Sequence, residues 1–175
     1  MEFVTADLHL DHEGIIDICN RPFKNTKIMA NQLSKNWNSV VKDGDIVYII
    51  GDLSMEGAQK RYTYEHFLKK LKGRKRFIPG NHDIDKYRFY AGDQGIGFEQ
   101  IIYPWAEVEE FVLAHDPTLS IVLPDRPFIT GHVHQMWHTI KNCYNCGVDV
   151  NNYTPVSIDV IRTYFREHTH IKVKD

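Results

Sequence analysis

No stretch of about 18 apolar residues occurs in this 175-residue chain, so hydropathy offers no membrane-spanning helix. Cysteine is sparse. Cys19, Cys143 and Cys146 are an odd set without the repeated spacing of a disulfide framework, and reduced thiols are expected. Cys143-Tyr144-Asn145-Cys146 has no second pair to complete a zinc site and no strand-to-helix setting for redox chemistry, so it reads as structural. A strong charge of either sign is also lacking: the formal net charge is −2, which gives no field for binding long nucleic acid. The dense basic run from Lys69 to Arg76 reads as a solvated helix end. No internal repeat or low-complexity linker divides the chain, and 42% hydrophobic with 25% charged residues suits one globular domain spanning 1–175. The first strand candidate begins almost at Met1, leaving no room for a signal peptide, so the expected compartment is the cytoplasm.

What the chain does have is five short polar clusters, each ending an apolar run. They are Asp7-Leu8-His9, Gly51-Asp52, Gly80-Asn81-His82-Asp83, Ala114-His115 and Gly131-His132-Val133-His134. The runs before them, Phe3 to Ala6, Ile46 to Ile50, Phe77 to Pro79, Phe111 to Leu113 and Phe128 to Thr130, are short and rich in β-branched residues, which predicts buried strands. The polar clusters would then gather along one sheet edge. On an extended segment, side chains two apart point the same way, so Asp7 with His9, and His132 with His134, would each converge while Leu8 and Val133 turn inward. Glycine before Asp52 and Asn81 permits a sharp turn and close approach to a ligand.

Carboxylate, imidazole and amide oxygen together form a donor set that suits manganese, iron, zinc or nickel better than magnesium or calcium. Two divalent ions sharing such a set would clamp a phosphoryl group and bring a shared water's pKa near neutrality.

In order and content the five clusters resemble the calcineurin-like metallophosphoesterases, whose pattern is Asp-x-His, Gly-Asp, Gly-Asn-His-Asp/Glu, His and Gly-His-x-His. The resemblance runs from Asp7 to the segment Asn145-Cys146-Gly147-Val148-Asp149-Val150-Asn151, which is similar to a stretch of small bacterial and phage members. It implies Asp7, His9 and His134 on one metal, Asn81, His115 and His132 on the other, and Asp52 bridging them. It further implies His82 as the general acid for the leaving oxygen, with Asp83 or another carboxylate orienting it. Manganese is the first expectation for both ions.

Early alternation of helix and strand, followed by a strand-rich second half, fits two packed sheets. Helical spacing falls at about 13–19, 26–41, 58–72, 84–91 and 155–166, with Leu33, Trp37, Val40 and Val41 on one stripe and Thr154-Pro155 opening the last helix. The resemblance also implies a four-layer α/β/β/α sandwich of two mixed sheets flanked by helices.

Two divalent cations bring four positive charges; Asp7, Asp52 and a bridging hydroxide remove three, and a phosphodiester monoanion neutralises the remainder. A monoester dianion would call for guanidinium groups, and the five clusters contain none. The chain also continues Gly51-Asp52 with Leu53-Ser54-Met55, where the serine/threonine protein phosphatases carry an aspartate-arginine-glycine signature. The expected activity is therefore hydrolysis of a small phosphodiester of the nucleotide type, by attack of metal-held hydroxide with His82 protonating the departing alkoxide. A phosphomonoesterase and a non-catalytic metal-binding module are the alternatives. His12 and Arg21 are candidate substrate contacts, with Arg126 a further guanidinium in reach; Trp105, Trp137 and Tyr153 would either stack on a base or pack in the core. His66, His138, His168 and His170 read as structural, Asp11 and Asp149 as turn caps, and 84–103 as a loop beside the site.

Overall fold

The computed structural model describes residues 1–54, 65–83 and 97–173. Five of the strands among the described residues fall on the expected apolar runs, and five others do not. The first sheet has the order β10-β1-β2-β3-β4, built from β1 (Glu2–Thr5), β2 (Ile46–Ile50), β3 (Arg74–Ile78), β4 (Gln100–Ile101) and β10 (Val156–Ser157). β1 to β4 run parallel, in a register that sets Phe3 against Val47 and Val47 against Lys75, while β10 is antiparallel to β1. The second sheet, β5-β6-β7-β9-β8, comprises β5 (Trp105–Val108), β6 (Phe111–Ala114), β7 (Phe128–Thr130), β8 (Thr139–Ile140) and β9 (Cys143–Asn145). β6, β7 and β9 are parallel, flanked by antiparallel β5 and β8. Both sheets are mixed, as the sandwich requires.

Between the sheets lies one apolar cluster, joining Val4, Tyr48, Ile50 and Ile78 of the first to Phe111, Leu113, Ile129 and Tyr144 of the second. The helix α3 (Ile158–His168) buries Ile158, Ile161 and Phe165 in that same cluster. α1 (Glu13–Ile18) and α2 (Thr26–Val40) cover the other face of the first sheet, where Met29, Leu33 and Trp37 meet Phe3, Val47 and Phe77. Asn25 caps α2 by accepting from the Ile28 N–H, and residues four apart supply its buried stripe. Val40, expected on that stripe, faces outward because Val41 takes the inner position. The outer face of the second sheet carries Val112, Phe128 and Cys143, covered by Leu119 and Trp137. Among the described residues the fourth layer there is a short 3-10 helix, Pro117–Ile121, rather than an α-helix.

Two local expectations change. Thr154-Pro155 leads into β10, and the last helix begins only at Ile158, with the Ser157 hydroxyl accepting from the Asp159 N–H. Edge pairing of Val156 and Ser157 with β1 outcompetes an earlier helix start. The run from Lys69 to Arg76 is a 3-10 turn followed by β3, with Arg74 and Arg76 both paired to Glu99. The helix expected at 84–91, and most of the loop at 84–103, lie outside the described residues, as does the start of the helix expected at 58–72.

Candidate metal centre

All five clusters meet at the ends of β1, β2, β3, β6 and β7. The loops are stitched by backbone bonds: Asp7 N–H donates to Gly51 O, His9 N–H to Asp52 O, and Gly131 N–H to His115 O. Convergence does not come from the strand pleat. Asp7, His9, Asp52, His132 and His134 all have left-handed backbones, with φ of 57°, 49°, 51°, 73° and 49°. Extended geometry ends at Thr5 and Thr130, and consecutive tight turns aim the side chains instead. Leu8 is buried as expected, while Val133 is only half-buried. Such backbones cost about 1–3 kcal/mol each and collect where a ligand is held.

Glycines make room for this crowding. A Cβ on Gly80 would lie 2.3 Å from Asp52 Oδ1, and one on Gly51, itself at φ 78°, would lie 2.2 Å from His115 Nδ1. The site closes so tightly around its own donors that no larger residue fits at either position.

Among the described residues, two donor sets draw on the five clusters, and a third group joins Cys19, His134 and Asp149. Asp7, His9 and His134 bring one donor atom each within 4.8 Å of one another, and so do Asp52, His115 and His132. Asn81 Oδ1 joins the second set at 3.0 Å from both His115 Nε2 and His132 Nδ1. Asp52 Oδ2 lies between the sets, 3.5 Å from His9 Nε2 and 3.3 Å from His115 Nε2.

Burial pushes Asp7 up to about 6, with His115 and His134 pulling the other way, and burial holds His9 down at about 3. Burial also opposes the charged forms of Asp52 and His115, yet their mutual hydrogen bond and charge outweigh it, holding Asp52 at about 2 and His115 at about 9. His9 Nε2 is buried without a hydrogen-bond partner. An unpaired imidazole nitrogen beside two carboxylates is what a cation would satisfy, and the donor set of carboxylate, imidazole and amide oxygen fits divalent transition metals.

Beyond the geometry, the profile of the calcineurin-like phosphoesterases matches residues 3–142. The chain belongs to that family. Members of this phosphoesterase family are phosphoric ester hydrolases that use divalent metals, and the two donor sets are where this chain can hold them. An uncharacterized protein of Methanocaldococcus jannaschii is 38% identical over 167 residues, covering 91% of this chain and 88% of its own length. The gene 66 protein of Mycobacterium phage L5 is 37% identical over 79 residues, which is 45% of this chain and 38% of that protein. Among solved structures, a protein of unknown function from Aquifex aeolicus superposes with a TM-score of 0.70 at 25% identity, covering 93% of this chain and 98% of that one.

Around this phosphoesterase centre the remaining candidates separate. His82 is at the cleft: its side chain is 39% exposed, its Nε2 is 4.0 Å from Asp52 Oδ2, and its ring centroid is 5.2 Å from that of His9. His12 stands at the mouth, half-buried, with Nδ1 3.5 Å from His9 Nδ1. Asp83 does not orient His82. Its carboxylate accepts from the N–H groups of Asp52, Leu53 and Gly80 at 2.6, 3.1 and 2.8 Å, tying two ligand loops together, while burial pushes it up to about 7.

Arg21 does not face the substrate either. Its guanidinium is buried beneath the first donor set, bonded to Asp149 at 2.7 and 2.9 Å and to the carbonyls of Leu8 and Asp7 at 2.9 and 2.7 Å. This arginine points into the fold, where a carboxylate, two carbonyls and the Met29 sulfur, 3.3 Å from Nη1, await it. Arg126 is paired to Glu107 at 3.4 Å.

Sequence reading missed Asp149 as a site residue. Besides pairing with Arg21, its Oδ2 is 2.9 Å from His134 Nδ1, which fixes that ring and leaves Nε2 for the cleft. The signal was present in Gly147-Val148-Asp149, but nothing local shows that its partners are 15 and 128 residues away. Asn145 supports the same histidine through His134 O at 2.8 Å. Asp149 is thus no turn cap. His138 bonds Tyr144 and Asn151, in keeping with a structural role.

Proposed function

We propose that this chain hydrolyses phosphodiesters of small, nucleotide-type substrates, with two divalent cations held by Asp7, His9, His134 and by Asn81, His115, His132, and shared by Asp52. Manganese suits these donors, with iron, zinc and nickel as alternatives. When bound, the cations supply charge to polarise the phosphoryl group and a water of near-neutral pKa.

The chain's own residues do the rest. Asp7, Asp52 and one hydroxide would offset three of the four positive charges, so that a monoanionic diester would balance what remains. His82, partly exposed and 4.0 Å from Asp52, would give the departing oxygen its proton. His12, at the same side of the mouth, contacts the substrate.

The observation that carries the diester reading is the wall beside Asn81, His115 and His132. Among the described residues it includes Asp116 and no lysine or arginine, an environment unfavourable to a dianion. Comparing bis-p-nitrophenyl phosphate with p-nitrophenyl phosphate in manganese tests it. We expect the diester to turn over with the higher kcat/KM; preference for the monoester would make the chain a phosphatase, and tight cation binding without turnover of either would make it a binding module.

A further inference from the structure

Next to the second donor set is a pocket of about 420 Å³ that the chemistry above does not require. Asn81, His115 and His132 line it on the side of that donor set, together with the segment Tyr103, Pro104 and Trp105. Tyr103 is 56% and Trp105 41% exposed. Trp137 and Tyr153 differ, since both are packed against core clusters.

The placement of Trp105 follows from β5. Ala106 and Val108 face the interior, so Trp105 and Glu107 face out, and Trp105 pairs across the ladder with Ala114, the residue before His115. A methyl group opposite the indole leaves its surroundings open. Leu119, Thr118 and Asp116 also line the pocket. Two exposed aromatics, polar acceptors, and no lysine or arginine among the described lining residues suit a planar heteroaromatic ring with N–H donors. They do not suit a second phosphate.

We infer that the Tyr103-Pro104-Trp105 segment is a subsite that stacks a nucleobase on the substrate group retained after cleavage. The retained side is assigned by position: the pocket borders Asn81, His115 and His132, whereas His82 and His12 stand by His9 at the other set. The leaving oxygen therefore departs toward His82 and the nucleoside stays against Trp105. This inference rests on the phosphoester reading for the orientation of the phosphate, but its test does not depend on turnover.

The test is calorimetric binding of adenosine 5′-monophosphate and ribose 5-phosphate to the manganese-loaded protein, two ligands with one phosphate and differing in the base. Stacking on an aromatic face predicts that the nucleotide binds about 10-fold more tightly or better. Trp105→Ala and Tyr103→Ala should shrink that ratio, and Trp105→Phe should keep most of it. Equal affinities in the unaltered protein, or a ratio untouched by Trp105→Ala, would overturn the inference. Failure to cleave any diester would sink the proposed activity while leaving this ratio as it stands.

Discussion

His82 and His115 carry opposite duties within one cluster of imidazoles. His82 is exposed enough to reach a substrate oxygen, and its replacement should matter most where that oxygen needs a proton. We expect His82→Ala to lower kcat by roughly 10²- to 10⁴-fold on a diester with an alkoxide leaving group, and by much less on a p-nitrophenyl diester. Equal losses on both, in parallel steady-state assays, would assign His82 a different role. His115 is buried, and Asp52 holds its proton in the metal-free protein up to about 9 against burial. The unfolded chain gives that proton up near pH 6.5, so the stabilisation is fully present below that value and is lost as pH rises through about 9. Urea midpoints in chelator should fall across this window, and His115→Asn should flatten the decline. The same proton must leave when a cation binds, so cation affinity should rise with pH.

Strands deliver the donors, but the turns after them do the aiming. Distant segments hold some of these turns: Asp83 fastens the turn after β3 to the one after β2, and Asp149, from the segment after β9, fastens His134. Asp149→Asn keeps the shape but removes the charge that orders His134 and neutralises Arg21. Affinity for cation at the first set should fall about 10- to 100-fold by calorimetry, with a lower thermal midpoint, while Asn81, His115 and His132 keep the second set. Equal loss at both sets would mean that Asp149 acts on the fold rather than on His134.

The whole molecule was readable from its sequence where the signal was local. Gly51-Asp52, Gly80-Asn81 and the paired histidines of the last cluster name their own chemistry, and the β-branched runs before them mark both sheets. Pairings through space were not readable: Arg21 looked like a phosphate contact because its partner, Asp149, is 128 residues on. Asp7-x-His9 looked like an alternating strand because left-handed turns leave no hydrophobic period. The thin outer layer at Pro117–Ile121 carried no helical pattern of its own.

Every chemical claim depends on residues 7 to 134 forming one cage for two cations. Crystals grown with excess manganese, measured at the manganese absorption edge, test it directly. The account predicts two anomalous peaks about 3.5–4 Å apart on either side of Asp52, one against Asp7, His9 and His134 and the other against Asn81, His115 and His132. A single peak, or peaks away from these side chains, would contradict it.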